Sequence, residues 1–263
     1  MRKIITLLLL IPCLVSGQMK IESHRQELFK GVKLNYKVYY APTPTNNWVL
    51  FLHGSGEGGP ADGSLLDNVE INGLAKYART NTYNFNILAP QALKLPGDEI
   101  SRFESIRSVI VDLVKEHYHA DKIIITGLSQ GGMEAVDWGF RDKKGYINGI
   151  VVMCGKTSYS PDIPRSTLNG ATDIAWKKYR DIPFLGVHGT KDKAPYGVTY
   201  SDGEKVYKAL LANPTRKSKT RWIRIDGGDH SSSWVKGYDK NDPVGKQVFG
   251  FIKQVFEGAG TGY

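Results

Sequence analysis

The chain has 263 residues, of which 41% are hydrophobic and 23% charged. That balance excludes a disordered polymer, and the length suits one sizeable α/β core. The formal net charge is +9, but the basic residues are scattered, with KKYR (177–180) and RKSK (216–219) the densest groups. No stripe of interleaved basic and aromatic residues is present, so solvated faces are expected and nucleic-acid binding is not.

The chain opens on MRKIITLLLLIPCLVSGQ. Arg2 and Lys3 make a basic start, and residues 4–15 form an apolar run too short to span a bilayer. Val15-Ser16-Gly17 is a small-residue ending of the signal-peptidase type. This predicts a secretory signal over 1–17, a single domain over 18–263, and a periplasmic or extracellular destination. An uncleaved anchor is the alternative. Pro12, directly before Cys13, argues against lipid attachment. Removing Arg2 and Lys3 lowers the charge from +9 to +7, and no stable membrane insertion is expected after cleavage. Cys154 is then the lone cysteine, so no intramolecular disulfide is possible. It ends the apolar run GIVVMC, which predicts a buried structural thiol.

Further along, KLNYKVYYAP (33–42) alternates like an antiparallel strand. WVLFLHG (48–54) and FNILAP (85–90) are continuous apolar runs, as expected of strands covered on both faces. KIIITG (122–127), NGIVVMCG (148–155), PFLGVHG (183–189) and RWIRIDGG (221–228) follow. Helices are expected over 65–79, 101–117, 131–140, 203–211 and 243–256. The second is the clearest: Phe103, Ile106, Ile110, Leu113 and Val114 mark one face, and Ser101 with Glu104 has the spacing of a capping box. Strands alternating with helices predict a doubly wound, mostly parallel sheet without a large lid. Chemistry then gathers beyond the carboxyl ends of the strands.

At one such end stands TGLSQGG (126–132). Gly127-Leu128-Ser129-Gln130-Gly131 falls between a strand and a helix. A serine held outward on so sharp a bend needs small residues two positions before and after it, and Gly127 and Gly131 supply them. A serine hydroxyl needs a base. His24 precedes the main sheet. His117 and His119 suit a helix C-terminus, with a metal pair as their less favoured reading. His53 and His188 end strands and suit support of loop geometry. His230, in DGGDHSSSW after the last strand, is the expected base. Asp192, four residues past His188 in VHGTKD, is the expected orienting acid, ahead of Asp162, Asp226 and Asp229. The order Ser129, Asp192, His230 is that of nucleophile-elbow hydrolases. A developing oxyanion needs two backbone N–H groups. Gln130 is expected to supply one. Ser55, in HGSGEGG (53–59), is favoured for the other, with Gly54 as its alternative. That loop lacks the G-K-[ST] ending of a phosphate-binding loop.

Together LHGSGEGG (52–59), GLSQGG (127–132), HGTKD (188–192) and GGDHSSSW (227–234) make the sequence resemble the α/β-hydrolase superfamily. The likeness is to compact secreted serine esterases related to dienelactone hydrolases, polyhydroxybutyrate-depolymerase-like esterases and prolyl-oligopeptidase-type peptidases. Serine at the elbow departs from the cysteine of dienelactone hydrolases. The resemblance implies Ser129 as nucleophile, His230 as base and Asp192 as acid. The chemistry so assembled calls for no metal and no cofactor. Only 28 residues, 155–182, separate the sixth and seventh strands, so an open cleft is expected.

The expected activity is hydrolysis of small-molecule or polymer-borne carboxylic esters, with acetyl or feruloyl esters of polysaccharide as the suggested substrates. The alternatives are a serine peptidase and a non-catalytic binding protein on the same scaffold. Trp234, four residues past His230, is a candidate for substrate stacking, whereas Trp138 is expected in the core.

Overall fold

The structure, a computed structural model, describes residues 17–97, 103–156, 181–193 and 198–258. Eight strands form one sheet: β1 (Lys20–Phe29), β2 (Val32–Tyr40), β3 (Asn47–Leu52), β4 (Asn86–Pro90), β5 (Lys122–Leu128), β6 (Ile147–Met153), β7 (Phe184–Gly189) and β8 (Thr220–Ile225). Their spatial order is β1-β2-β4-β3-β5-β6-β7-β8. The pairs β1–β2 and β2–β4 are antiparallel and the rest are parallel. The chain runs outward from β3 to β4 and returns across β3 to β5. That reversal opens a crevice at the carboxyl ends of β3 and β5.

The central strands are apolar throughout because both faces are covered. Leu50, Leu52, Ile123 and Ile125 face one cluster, shared with Ile110, Trp138 and Leu210. Val49, Phe51 and Ile124 face the other, shared with Leu74, Val248, Phe251 and Ile252. The alternation of the strand pleat divides neighbouring residues between two cores. Helices α2 (Glu104–Asp112), α3 (Gln130–Arg141) and α4 (Tyr200–Leu211) contribute to the first. Helices α1 (Gly73–Ala78), α5 (Ser232–Gly237) and α6 (Pro243–Phe256) lie with the second. Asp242 caps α6 by accepting from Val244 N, with Pro243 at the first helical position, where its missing N–H costs nothing.

Three local expectations change. The single helix expected over 65–79 is a 3-10 turn, Leu66–Glu70, followed by α1. Gly73 separates them at φ +68, where a Cβ would stand 2.5 Å from Phe51 Cζ. The helix expected over 101–117 begins at Glu104 and ends in a π-helical turn, Leu113–His117. Ser101, the first half of its expected capping box, lies outside the described residues. His24 does not precede the sheet. It lies in β1, stacked on Tyr36 with ring centroids 4.5 Å apart. Most of the expected signal, the 157–180 part of the segment behind the open-cleft expectation, and Asp162 also fall outside the described residues.

Candidate active site

β5 ends at Leu128 and α3 begins at Gln130, so Ser129 alone makes the bend. Its backbone is at φ 52, ψ −115, a conformation sterically poor for any residue with a side chain. Hydrogen bonds hold it there: Ser129 N donates to Met153 O at 3.0 Å, and Ser129 O accepts from Met133 N at 3.0 Å. The glycines permit the approach. A Cβ at Gly127 would overlap the Gly131 carbonyl, and one at Gly131 would overlap the carbonyls of Leu52 and His53.

His230 Nε2 lies 3.0 Å from Ser129 Oγ, and His230 Nδ1 lies 2.7 Å from Asp192 Oδ2. The three residues expected to cooperate are therefore joined in one hydrogen-bonded chain. Asp192 and His230 are both buried. Asp192 sits on the turn after β7, where its N–H donates to Gly189 O at 3.1 Å and Lys191 N donates to Gly228 O at 2.8 Å. A Cβ at Gly189 would overlap the carbonyls of Gly228 and Asp229, so glycine lets the two loops close on each other. Burial pushes the Asp192 pKa up. Hydrogen bonds from His188 and His230 act against it, and the net shift is downward. The carboxylate is thus kept as an anion where an imidazolium would form.

Two of the rival acids, Asp226 and Asp229, are occupied elsewhere. Asp226 pairs with exposed Arg224, and Asp229 accepts from the hydroxyls of Ser231 and Ser232. His117 and His119 gather no third metal-capable side chain among the described residues. Cys154, Asp192 and His230 do bring one such atom each within 4.8 Å of one another. Both His230 nitrogens already face Ser129 and Asp192, however, and burial raises the Cys154 thiol pKa well above its usual value. A thiolate ligand is disfavoured there. Cys154 is fully buried, with Sγ 4.0 Å from His230 Nε2.

The glycine-rich loop after β3 lies against the bend, since a Cβ at Gly54 would stand 2.8 Å from Leu128 Cδ1. Gly54 N–H donates to Glu57 Oε2 at 3.3 Å. That engagement argues against Gly54 as the oxyanion donor. Ser55 opens the 3-10 turn Ser55–Glu57, and Gln130 opens α3, where backbone N–H groups and the helix dipole favour an anion. Glu57 and Asn72, which sequence reasoning missed, help to set this loop. Glu57 is buried and bonds Asn72 Nδ2 at 2.8 Å, and its pKa is raised by that burial. Only the unusual acid inside a glycine run signalled it. His53 fills the role of loop support: Nδ1 contacts Gly54 O at 2.6 Å and Nε2 accepts from Ala92 N at 3.0 Å.

Trp234, in α5, stands edge-on to His230 with ring centroids 5.1 Å apart. Trp138 is buried in the first core and donates to Glu134 at 2.9 Å.

A doubly wound sheet with a serine on its β5–α3 bend defines an α/β-hydrolase architecture. The Phospholipase/Carboxylesterase family model (Abhydrolase_2) matches residues 83–235, more than half of the chain. The chain belongs to that family and is a hydrolase. The matched span contains Ser129, Asp192, His230 and Trp234 and excludes the Ser55 loop.

Among solved structures, TT1662 from Thermus thermophilus is 18% identical, with a TM-score of 0.57 over 91% of this chain and 99% of its own. Esterase 2 of Thermogutta terrifontis, phosphonylated by cyclosarin, is 13% identical, with a TM-score of 0.60 over 93% and 96%. The acylaminoacyl peptidase of Pyrococcus horikoshii is 14% identical, with a TM-score of 0.55 over 92% of this chain and 42% of its own. At these identities the likeness is one of fold. No curated protein matches the chain.

Proposed function

We propose that this protein is a serine carboxylic-ester hydrolase working through an acyl-enzyme, exported from the cytoplasm and acting on esters of small acids. The hydrogen-bonded chain Ser129–His230–Asp192, at 3.0 and 2.7 Å, carries the reading. As Ser129 Oγ attacks the ester carbonyl, His230 Nε2 takes its proton. Asp192 fixes the imidazole tautomer and stabilises the imidazolium. The N–H groups of Ser55 and Gln130 receive the oxyanion. Collapse of the tetrahedral intermediate expels the alcohol, which takes the proton from His230. Water then repeats the sequence on the acyl-enzyme and releases the acid.

Export is inferred from the basic, apolar and small-residue succession over 1–17. Among the described residues no helix is long and apolar enough to cross a membrane. Acetyl and feruloyl esters of polysaccharide are the proposed substrates. The exported setting supports them, as does Trp234, whose ring beside His230 suits stacking on a sugar or an aromatic acyl group.

Acetyl, butyryl, feruloyl and long-chain esters assayed in parallel, beside a peptide panel, test the proposal. Turnover of acetyl or feruloyl esters that falls about 10⁴-fold in Ser129→Ala is expected. An optimum for long acyl chains would overturn the substrate class. Peptide cleavage without ester cleavage would overturn the reaction.

A further inference from the structure

The Asp192 carboxylate is held by two imidazoles. His188 Nε2 lies 2.7 Å from Asp192 Oδ2, the same oxygen that lies 2.7 Å from His230 Nδ1. Among the described residues the other oxygen, Oδ1, is buried and has no hydrogen-bond partner. The side-chain donors on this carboxylate are therefore the two histidines, and both address one oxygen.

His188 is fully buried. Its ring stands between Tyr200 and Trp222, with centroids 5.9 Å from each, and Trp222 is stacked in turn on Tyr207. Gly203 of α4 leaves the room it needs, since a Cβ there would overlap His188 Nδ1. Nδ1 is buried and has no hydrogen-bond partner among the described residues. An orphaned nitrogen in an aromatic slot lowers stability, and an apolar ring would fill that slot without it. The polar contact that imidazole gains in return is the one to Asp192. With an anion at Nε2 and no partner at Nδ1, the proton belongs on Nε2, and His188 acts as an N–H donor.

We propose that His188 is a positioning residue, whose Nε2–H locks the Asp192 carboxylate in the orientation that serves His230. The inference rests on the serine-hydrolase reading above. An acceptor oxygen has two lone pairs, and the two imidazoles occupy both. Rotation of the carboxylate would break two charge-assisted hydrogen bonds at once. His188 keeps its proton throughout the cycle, while the Ser129 proton travels to His230 and on to the leaving group. Among the described residues the ionisable groups facing Asp192 are His188 from β7, His230 from the loop before α5, and the protonated Cys154 thiol from the end of β6. Tyr200 of α4 sets its ring against His188, gives its hydroxyl to Glu204 at 3.2 Å and donates its backbone N–H to the Asp192 carbonyl at 3.2 Å. Removing the His188 donor leaves the buried anion less stabilised, so Asp192 takes up a proton at a higher pH.

The tautomer is read first, in the wild-type protein labelled with 15N-histidine. His188 protonated at Nε2 and bare at Nδ1 is expected, and the reverse tautomer would overturn the proposal. His188→Leu and His188→Gln are then compared, with rates normalised to active sites titrated by a fluorophosphonate. The glutamine amide can still donate to Asp192, so its kcat is expected within about fivefold of wild type. The leucine variant is expected to lose about 30-fold or more in kcat with little change in KM, and its acid limb is expected to move to higher pH. Equal per-site kcat and an unmoved acid limb in His188→Leu would reduce His188 to a packing residue. Should wild type hydrolyse no ester, the proposed function fails on its own, and the His230 Nδ1–H resonance decides this inference. It is expected to move in His188→Leu and to stay in His188→Gln. An unchanged resonance in His188→Leu would overturn the inference.

Discussion

A Cβ on Gly127 would overlap the carbonyl of Gly131, four residues later across the bend that carries Ser129. The obstacle is backbone, so no side-chain rotation relieves it. Gly127→Ala must push the end of β5 away from the start of α3. The expected cost is about 2–3 kcal/mol of stability, together with at least a 100-fold loss of turnover as Oγ leaves its 3.0 Å contact with His230. Urea midpoints and p-nitrophenyl acetate turnover measure the two. Unchanged values would mean that strand and helix are not in contact here.

Ser129 itself is strained at φ 52, ψ −115. Such a backbone costs about 1–3 kcal/mol in a residue with a Cβ, whereas glycine avoids most of that at an entropic cost of about 0.5–1 kcal/mol. Ser129→Gly should therefore be more stable than Ser129→Ala by about 1 kcal/mol, while both variants are inactive. Equal urea midpoints for the two would show that the bend stores no strain.

Stability should fall in weak acid through His53. Burial lowers its pKa from the usual 6.5 to about 4, against the opposing hydrogen bond to Gly54. Below pH 6.5 the unfolded chain takes up a proton that the native state refuses until about pH 4. Stability contributed by the neutral ring is thus fully present above pH 6.5 and is lost on the way down to pH 4. The shift corresponds to about 3 kcal/mol. Glu57, held above its usual range by burial, works in the opposite sense. Asp192, shifted downward, contributes a loss only below its usual range. The diagnostic is the slope of unfolding free energy between pH 7 and pH 4.5, which should be shallower in His53→Gln than in wild type. Parallel slopes would contradict the assignment.

Trp234 should act on recognition more than on the chemical step. Its ring meets His230 edge-on and makes none of the hydrogen bonds among Ser129, His230 and Asp192. Trp234→Ala is expected to raise KM for aryl esters several-fold, with kcat for p-nitrophenyl acetate within about threefold of wild type. A selective collapse of kcat would instead make Trp234 a support for His230.

The bend, and the meeting of Asp192 and His230 with Ser129, were legible because the expected chemistry fixes residue types at strand ends. Gly127 and Gly131 bracket a serine, and Asp192 and His230 follow β7 and β8. α6 was legible to the residue, since Pro243 opens it and its apolar face repeats regularly. β1 was not. KIESHRQELF is exposed or half-exposed along its length, and its pairing with β2 shifts between His24 and Glu27, with Gln26 at φ 51. No alternation survives such a bulge at a sheet edge. The break in 65–79 was hidden for another reason. Gly73 is required there by Phe51 and Leu128, residues distant in sequence that a helical pattern does not display. The same holds for Glu57, whose partner Asn72 is fifteen positions away, and for His188, whose meaning lies in sharing an oxygen with His230.

The central claim is that Ser129 is the nucleophile, and the most direct test is covalent. The purified protein is exposed to a fluorophosphonate probe, digested, and the adduct located by mass spectrometry. The account predicts one phosphonyl group per chain, on the peptide containing Ser129, absent in Ser129→Ala and slow to form in His230→Ala. No adduct, or an adduct on another serine with Ser129 unmodified, would contradict it.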